Sequence, residues 1–203
     1  MKLYYATGTC SFAPHVALRE AGIPFELVRY DVKKLELDGG GRLEDVNEKG
    51  YVPVLELDGG ERITEVSAVL QYIADQKPAS GLAPANGTLA RVRLQEWLNF
   101  IATELHKAYW PIFHDGAEIE VKNARERLVR RFGWVEKKLG TQPFLMGETF
   151  TVADAYLLTV LNWTRAGGID MAQWPGLKEY WSRLRKRPAV HASLEAESPK
   201  RAA

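Results

Sequence analysis

The only cysteine among the 203 residues, Cys10, stands where a short apolar segment gives way to a predicted helix. N–H groups at a helix N-terminus stabilise a thiolate, so Cys10 is a candidate nucleophile. A small buried apolar side chain is the common alternative for a free cysteine, and position alone does not separate the two. Because the chain has no second cysteine, with Ala13 at the position three residues on, Cys10 can form a disulfide only with an outside thiol.

A second group of candidate side chains lies near the middle of the chain. Asn99, Thr103, His106 and Lys107 follow one another at i, i+4, i+7 and i+8, which places them on one face of a helix. A solvated helix face is the common structural explanation for such a stripe. The other histidines have no metal-ligand spacing with one another or with Cys10, so the sequence predicts no metal site.

The first 76 residues carry the pattern of a small mixed sheet with helices on its faces. Segments 2–6 and 25–30 predict strands, and the residues between them predict a helix that Gly22 ends. A strand–helix–strand unit of this length makes its two strands parallel.

A hairpin and a second helix are predicted to complete this sheet. Segments 52–57 and 61–64 predict two strands joined by an Asp-Gly-Gly turn, and the apolar spacing of 66–73 predicts the buried side of a helix. Segment 32–50 contains three consecutive glycines, and we expect it to be mobile and poorly regular.

A segment rich in proline, glycine and small residues, 77–88, predicts a linker between two domains. The sequence after it has helical patterns only. Five helices are predicted, over roughly 88–110, 118–139, 151–165, 175–187 and 188–197. The predicted organisation is thus an α/β domain over 1–76, the linker over 77–88, and an all-helical domain over 89–203.

Thr151 and Asp154 have the spacing of a capping box at the start of one of these helices, with Asp in place of the usual Glu. The helix that they begin is apolar on most sides, which predicts that it lies at the centre of the helical domain. We therefore interpret Asp154 as a folding residue rather than a catalytic one.

Composition and charge exclude several classes of function. Lys and Arg total 27 against 26 for Asp and Glu, so the surface has no strong field to attract nucleic acid or an anionic membrane. The N-terminus lacks the apolar core of a signal peptide, and the longest apolar stretch, 152–163, is too short to span a membrane. A single unpaired cysteine fits a reducing compartment, and we expect a cytoplasmic protein.

The order of these elements resembles that of the cytosolic glutathione transferases, and the match covers nearly the whole chain. Segments 96–100, 104–107 and 187–191 are similar to the bacterial beta class. The motifs that carry the resemblance are Tyr5, Cys10-Ser11, Pro14-His15, Val52-Pro53-Val54-Leu55, Thr64-Glu65 and Phe150 to Asp154. The implied fold is an α/β thioredoxin-like N-terminal domain (βαβ-ββα) followed by an all-α domain.

This resemblance implies a glutathione site in the thioredoxin-like domain. A cis peptide bond at Val52-Pro53 would expose the Val52 backbone to pair with glutathione as a short added strand. Glu65 and the backbone N–H of Val66 would hold the γ-glutamyl end. The implied catalytic residues are Cys10, His106, Ser11 and Tyr5. The implied glutathione-binding residues are Cys10, Val52, Pro53, Glu65, Val66, Asn99, Thr103, His106, Lys107 and Lys34.

The resemblance also implies a homodimer. Asn99 and Thr103 would reach the glutathione site from the partner subunit, and His106 would share a proton or a hydrogen bond with the glutathione thiolate.

Two positions depart from the family pattern. Leu35 stands where the family has a lysine for the glycine carboxylate of glutathione, so Lys33 or Lys34 would have to replace that lysine. Val66 stands where a hydroxyl residue is usual, although its backbone N–H is retained.

The sequence therefore predicts an enzyme, a glutathione transferase that conjugates reduced glutathione to hydrophobic electrophiles in detoxification. Glutathione is the co-substrate, and the partners are a hydrophobic electrophilic small molecule and a second copy of the chain, without nucleic acid or membrane. One alternative is a glutathione-dependent thiol-disulfide oxidoreductase or dehalogenase that uses Cys10. Another is a non-catalytic glutathione-binding or regulatory protein. Candidate walls of the electrophile pocket, which could equally be core, are Tyr109, Trp110, Phe113 and Trp163.

Overall fold

The computed structural model describes residues 1–198, which divide into two compact units. The first unit combines Met1–Leu82 with the C-terminal segment that begins at Lys186, and the second unit is Ala83–Arg185. The last helix, which the sequence analysis grouped with the helical domain, thus belongs to the unit that contains the sheet. The end of the predicted helical domain, 199–203, lies outside the described residues.

One five-stranded sheet forms the centre of the first unit, in the order β3-β2-β1-β4-β5. The strands are β1 (Lys2–Tyr5), β2 (Glu26–Asp31), β3 (Glu36–Leu37), β4 (Val54–Glu56) and β5 (Arg62–Ile63). β1 and β2 are parallel, as the strand–helix–strand pattern predicts, and the other pairs are antiparallel. The predicted hairpin is confirmed as β4 and β5.

Two helices of the first unit follow the predicted apolar spacing. α1 (Phe12–Ala21) ends at Gly22, which has a φ of 64° and donates its N–H to the carbonyls of Arg19 and Leu18. That left-handed conformation is one that glycine adopts without a steric cost. α2 (Val66–Gln76) buries its predicted apolar side chains, which are Val66, Val69, Leu70 and Ile73.

The segment 32–50 is mostly turn and bend, as expected, with two short regular elements. It contains β3, which pairs with β2, and a 3₁₀ turn over Leu43–Asp45. Leu37 and Leu43 are buried in an apolar cluster that also holds Val52 and Val54. The expected poor regularity thus holds outside β3 and the 3₁₀ turn, and burial of these leucines stabilises those two short elements.

The second unit is built from helices. They are α3 (Leu89–Phe100), α4 (Trp110–Phe113), α5 (Glu118–Leu139), α6 (Val152–Leu161) and α7 (Pro175–Leu184), while α8 (Pro188–Glu197) belongs to the first unit. Four of the five predicted helices match an observed α-helix to within a few residues. Within residues 1–198, no helix has both the length and the apolar character that crossing a membrane requires.

The predicted helix over 88–110 is the exception. After α3 the chain continues as a π-helical segment, Ile101–His106, and then as a 3₁₀ turn, Lys107–Tyr109, before α4. A π-helix has more residues per turn than an α-helix, so the i, i+4, i+7 spacing no longer defines one face.

The predicted capping box at α6 is confirmed. Asp154 accepts hydrogen bonds from the Thr151 N–H at 2.8 Å and the Thr151 hydroxyl at 2.9 Å. The Leu145 N–H and the Tyr180 hydroxyl donate to its other oxygen at 2.8 and 2.7 Å. Burial raises the pKa of the Asp154 carboxyl, and these four donors oppose that increase.

Candidate active site

The turn between β1 and α1, residues 6–11, is closed by two hydroxyl groups. Ser11 Oγ lies 3.1 Å from both the amide nitrogen and the carbonyl oxygen of Ala6. Thr9 Oγ1 donates to the same carbonyl at 2.9 Å and lies 2.9 Å from Ser11 Oγ. Because Ser11 is fully buried and its hydroxyl bonds back to Ala6, the geometry gives it a role in closing the turn, and its catalytic role stays a prediction.

Backbone hydrogen bonds occupy N–H groups of this turn. Thr9 N–H donates to the Ala6 carbonyl, Phe12 N–H to the Thr9 carbonyl and Ala13 N–H to the Cys10 carbonyl, at 3.2, 3.2 and 3.3 Å. Donors at this helix start were predicted to stabilise the Cys10 sulfur. The structure directs these three at carbonyl oxygens of the turn instead.

Cys10 itself contacts the strand that carries the predicted cis-proline. Its half-buried thiol donates to the Val52 carbonyl oxygen at 3.4 Å. A thiolate has no proton to donate, so this contact belongs to the protonated thiol. The Val52-Pro53 bond is cis, as predicted. The Val52 carbonyl, which was predicted to be available to glutathione, therefore already accepts one hydrogen bond.

Tyr5, at the end of β1, is 7% exposed. Burial raises the pKa of its phenol, and the negative charge of Glu197 raises it further. The phenol therefore stays protonated at neutral pH, and in this state it can act as a hydrogen-bond donor but not as a base.

Glu65 directly precedes α2 and has a φ of 67°, which is unusual for a residue with a side chain. Its carboxylate accepts hydrogen bonds from the Tyr51 hydroxyl at 2.6 Å and from Lys49 Nζ at 2.8 Å. Lys49 also donates to Thr64 Oγ1 at 3.0 Å. The hydrogen bond to Glu65 is the main reason why the pKa values of Lys49 and Tyr51 are raised. These contacts hold a carboxylate at the N-terminus of a helix.

The predicted polar stripe of the second unit is divided by the π-helical segment. Asn99, Thr103 and Lys107 are exposed, and the Thr103 hydroxyl donates to the Asn99 carbonyl at 3.0 Å. His106 is half-buried, and its Nδ1 lies 2.7 Å from the Tyr156 hydroxyl. The four side chains thus share neither the same exposure nor the same kind of partner.

Aromatic side chains surround His106 in the second unit. Its ring centroid lies 5.0 Å from that of Trp163, which also packs edge-on against Tyr109. Tyr109 is almost fully buried, its hydroxyl has no hydrogen-bond partner among residues 1–198, and burial raises its pKa. Trp110 and Phe113 are 56% and 41% exposed. Of the four candidate pocket walls, Tyr109 is therefore core, whereas Trp110 and Phe113 present apolar surface.

Comparison with known proteins decides the family. The model described as "Glutathione S-transferase, N-terminal domain" matches residues 8–76, and the one described as "Glutathione S-transferase, C-terminal domain" matches residues 100–188. Glutathione S-transferase GstA of Escherichia coli O157:H7 is 40% identical over 201 residues, which are 98% of this chain and 100% of that protein. The chain belongs to the glutathione S-transferase family.

Solved structures place it in the bacterial beta class. The beta-class glutathione S-transferase of Sphingomonas chungbukensis has a TM-score of 0.94 and 42% identity, over 98% of this chain and 99% of that chain. A sphingomonad glutathione S-transferase complexed with glutathione has a TM-score of 0.93 and 44% identity, over 97% of this chain and 98% of that chain. The predicted fold, family and enzyme class are thereby confirmed.

In this glutathione S-transferase, the first unit brings part of the predicted site together. Cys10 contacts Val52, and Glu65 and Val66 stand at the start of α2. Four predicted binding or catalytic residues belong to the second unit, and their roles stay predictions: Asn99, Thr103, His106 and Lys107. Within residues 1–198, no group of three or more His, Cys, Asp or Glu side chains could hold a metal ion.

Leu35 stands where the family has a lysine, and the replacement of that lysine by Lys33 or Lys34 stays a prediction. Leu35 is exposed with a φ of 59°, and its N–H donates to the Asp31 carbonyl at 2.8 Å. Lys34 is exposed, and its backbone N–H donates to the Asp31 carboxylate at 3.2 Å. Lys34 therefore stands on an ordered turn, and its predicted contact with glutathione is a proposal.

Lys49 and Tyr51 contact the predicted site residue Glu65, and we did not predict these contacts from the sequence. They lie 16 and 14 positions from Glu65 along the chain and reach its carboxylate only because β4 and β5 fold back as a hairpin. A signal was present in the sequence, since both residues lie within three positions of the Val-Pro pair and β5 is followed directly by Thr64-Glu65. Because the predicted hairpin brings its flanking residues together, it also predicts that Lys49 and Tyr51 lie close to Glu65.

Replacing Tyr51 by phenylalanine is expected to raise the KM for glutathione about 3- to 10-fold, the equivalent of one hydrogen bond to a charged acceptor at an exposed site. The kcat should stay within about twofold, because Tyr51 would orient Glu65 without touching the reacting sulfur. Steady-state kinetics at fixed electrophile measures both. Tyr72→Phe, a change on α2 outside this cluster, is the matched control, and an unchanged KM in Tyr51→Phe would contradict the assignment.

Proposed function

We propose that this glutathione S-transferase conjugates reduced glutathione to hydrophobic electrophiles and that its first unit holds the glutathione. The observation that carries the proposal is the contact of Cys10 Sγ with the Val52 carbonyl, since it places the β1–α1 turn against the cis Val52-Pro53 bond. The backbone of Val52 and the polar turn between β1 and α1 then border the same site. The sphingomonad relative complexed with glutathione supports glutathione as the ligand.

Backbone pairing and charge would hold the tripeptide. The N–H of Val52 would donate to glutathione, and the Val52 carbonyl has a second lone pair with which to accept from it. The α-carboxylate of the γ-glutamyl group would bind at the N-terminus of α2, where the Val66 N–H and the helix dipole favour an anion. The ammonium of the same group would pair with Glu65, whose carboxylate Lys49 and Tyr51 already hold in place.

The chemical step would be attack by the glutathione sulfur on an electrophilic carbon. A new C–S bond forms, the bond from that carbon to its leaving group breaks, and the leaving group departs with the electron pair. The thiol proton goes to solvent. The enzyme would contribute by binding the two reactants together and by stabilising the thiolate, for which His106 and the protonated Tyr5 are the proposed hydrogen-bond donors.

Cys10 has a different proposed role. Its thiolate would attack one sulfur of glutathione disulfide, so that the old S–S bond breaks, a mixed disulfide forms at Cys10 and one glutathione thiolate leaves. The half-buried position of Cys10 supports this exchange, because an outside disulfide needs access to the sulfur.

Replacing Cys10 by alanine separates these roles. Conjugation of glutathione to 1-chloro-2,4-dinitrobenzene should retain at least about one third of the parent rate, because the thiolate that attacks belongs to glutathione. Under glutathione disulfide, the intact mass of the parent should increase by about 305 Da, one glutathione in disulfide linkage, and the variant should not change. Cys10→Ser is the matched variant that keeps a polar atom at the position. Loss of conjugation in both variants would assign the attacking sulfur or its activation to Cys10.

The second candidate function is glutathione-dependent thiol-disulfide exchange through Cys10. The observation that favours it is the half-buried position of the thiol, which leaves the sulfur partly accessible to an outside disulfide. Reduction of 2-hydroxyethyl disulfide by glutathione is the test. A rate that depends on Cys10 and exceeds conjugation would make this the principal function.

A homodimer and an apolar second substrate complete the proposal. Trp97 and Phe100 on α3 pack against Trp134 on α5, with ring centroids 5.4 and 4.6 Å from that of Trp134. Leu89 and Val92 on the same helix are exposed, which supports burial of this face against a second copy. The exposed Trp110 and Phe113 support a hydrophobic electrophile. Because reduced glutathione belongs to reducing compartments, we infer a cytoplasmic site of action.

A further inference from the structure

A buried chain of polar side chains joins α1 to the last helix of the first unit. Arg19 Nε–H donates to His15 Nε2 at 3.0 Å, and His15 Nδ1 lies 2.9 Å from Glu197 Oε1. His15 is fully buried and Glu197 is 6% exposed. Neither His15 nor Glu197 takes part in the proposed chemical step.

These distances define the tautomer of His15. Because Nε2 accepts from a guanidinium, the ring proton is on Nδ1, which then donates to the Glu197 carboxylate. The neutral imidazole thus connects a cation to a buried anion. In this row of three side chains each donor, on Arg19 and on His15, faces an acceptor, so Glu197 is held in one position.

The other oxygen of Glu197 binds the turn that carries Cys10. Gly8 N–H donates to Glu197 Oε2 at 3.2 Å, across 189 positions of sequence. Gly8 has a φ of 73° and stands two residues before Cys10. The C-terminal helix therefore supplies an acceptor for a backbone donor in the turn between β1 and α1.

A separate contact already joins α1 and α8. The Arg187 guanidinium donates to both carboxylate oxygens of Glu20, at 2.7 and 2.9 Å. A second ionic contact is therefore not needed to fasten α8, and a buried carboxylate is costly compared with apolar packing of the same volume. What Glu197 adds is the hydrogen bond to Gly8.

We propose that Glu197 is a positioning residue for glutathione, which sets the conformation of the Cys10 turn through Gly8 and is itself oriented by His15 and Arg19. The inference rests on the proposed function, in which that turn borders the glutathione site. Helix α8, which carries Glu197, would thus help to position the residues that border the glutathione site. Glu197 acts on substrate binding and not on the reacting atoms.

The test compares Glu197→Gln with two controls on the parent protein. Glutamine has nearly the same shape but one acceptor oxygen in place of two, so it loses either the bond to Gly8 or the bond to His15 that orients the side chain. The KM for glutathione should rise about 10-fold with kcat within about twofold. Glu195→Gln changes an exposed carboxylate of the same helix, which lies near His191, and should leave both constants unchanged.

Glu20→Gln is the control for a merely structural effect. It weakens the other ion pair between α1 and α8 without touching Gly8, so it should lower the melting temperature but not raise the KM. An equal rise of the KM in Glu20→Gln and Glu197→Gln would overturn the proposal, as would an unchanged KM in Glu197→Gln.

A second readout needs no glutathione. Alkylation of Cys10 by iodoacetamide, followed by intact mass, reports the geometry of the turn. Its rate should change at least about threefold in Glu197→Gln and stay at the parent value in both controls. If the parent failed to bind glutathione, the proposed function would be wrong, but this rate would still decide whether Glu197 controls the turn. An unchanged alkylation rate would refute that control.

Discussion

Replacing Asp154 by alanine is expected to lower the free energy of unfolding by about 3–5 kcal/mol. The side chain is fully buried and accepts hydrogen bonds from Leu145, Thr151 and Tyr180. Alanine leaves all of these donors without their acceptor, and each buried donor that loses its partner costs about 1–3 kcal/mol. The lost hydrogen bonds join three separate parts of the second unit, which are the start of α6, the segment before it and α7.

Chemical denaturation of the parent and the variant measures this loss. Asp170→Ala is the matched control, because Asp170 is also an aspartate that caps a helical turn, with a 2.9 Å bond to the Ala172 N–H, but it is exposed. We expect the control to lose no more than about 1 kcal/mol. A loss below that value in Asp154→Ala would show that the four hydrogen bonds do not contribute as the structure implies.

Replacing Glu65 by glutamine is expected to lower kcat/KM for glutathione by about 30- to 100-fold. The change removes a charged acceptor that would pair with the ammonium of the γ-glutamyl group, and such a charge-assisted bond is worth about 1.5–3 kcal/mol. The lower kcat/KM should come from a higher KM and not from a lower kcat, because the ammonium is remote from the sulfur that reacts. Glu61→Gln, at an exposed position on the same hairpin, is the matched control.

The backbone of Glu65 allows a second test of the same residue. A non-glycine residue at a φ of 67° with a ψ of 119° costs of the order of 1–3 kcal/mol, which glycine would not pay. Glu65→Gly should therefore fold without loss of stability and still bind glutathione poorly. A variant that is stable but inactive would show that Glu65 is retained for its carboxylate, whereas a variant with normal KM would contradict the proposed site.

Local patterns predicted most of the fold because they were strong and did not depend on distant residues. Gly22 ends α1 where a left-handed residue is needed, and the apolar spacing of α2 and the capping box at Asp154 matched the observed contacts. The short strand β3 was missed because two residues carry too little pattern to separate a strand from a turn. The π-helical segment was missed because the sequence of 101–106 has ordinary helical composition.

Part of the site was predictable from the sequence, whereas contacts that form only in the folded protein were not. Cys10, Val52 and Glu65 were named as candidates from local signals and from the family resemblance, and the structure places Cys10 beside Val52. The bonds of the Ser11 hydroxyl to Ala6 could not be predicted, because they depend on how the turn closes. Glu197 reaches Gly8 only in the folded chain, so no local signal identifies it.

The most direct measurement of the central claim is calorimetric titration of glutathione into the parent protein and into Glu65→Gln. We predict saturable binding to the parent with one site per chain, and an affinity at least about 10-fold lower for the variant. The dipeptide Cys-Gly, which lacks the γ-glutamyl group, should bind the two proteins equally weakly. Equal affinity of both proteins for glutathione, or no saturable binding to the parent, would contradict a site built from the Val52 backbone and the N-terminus of α2.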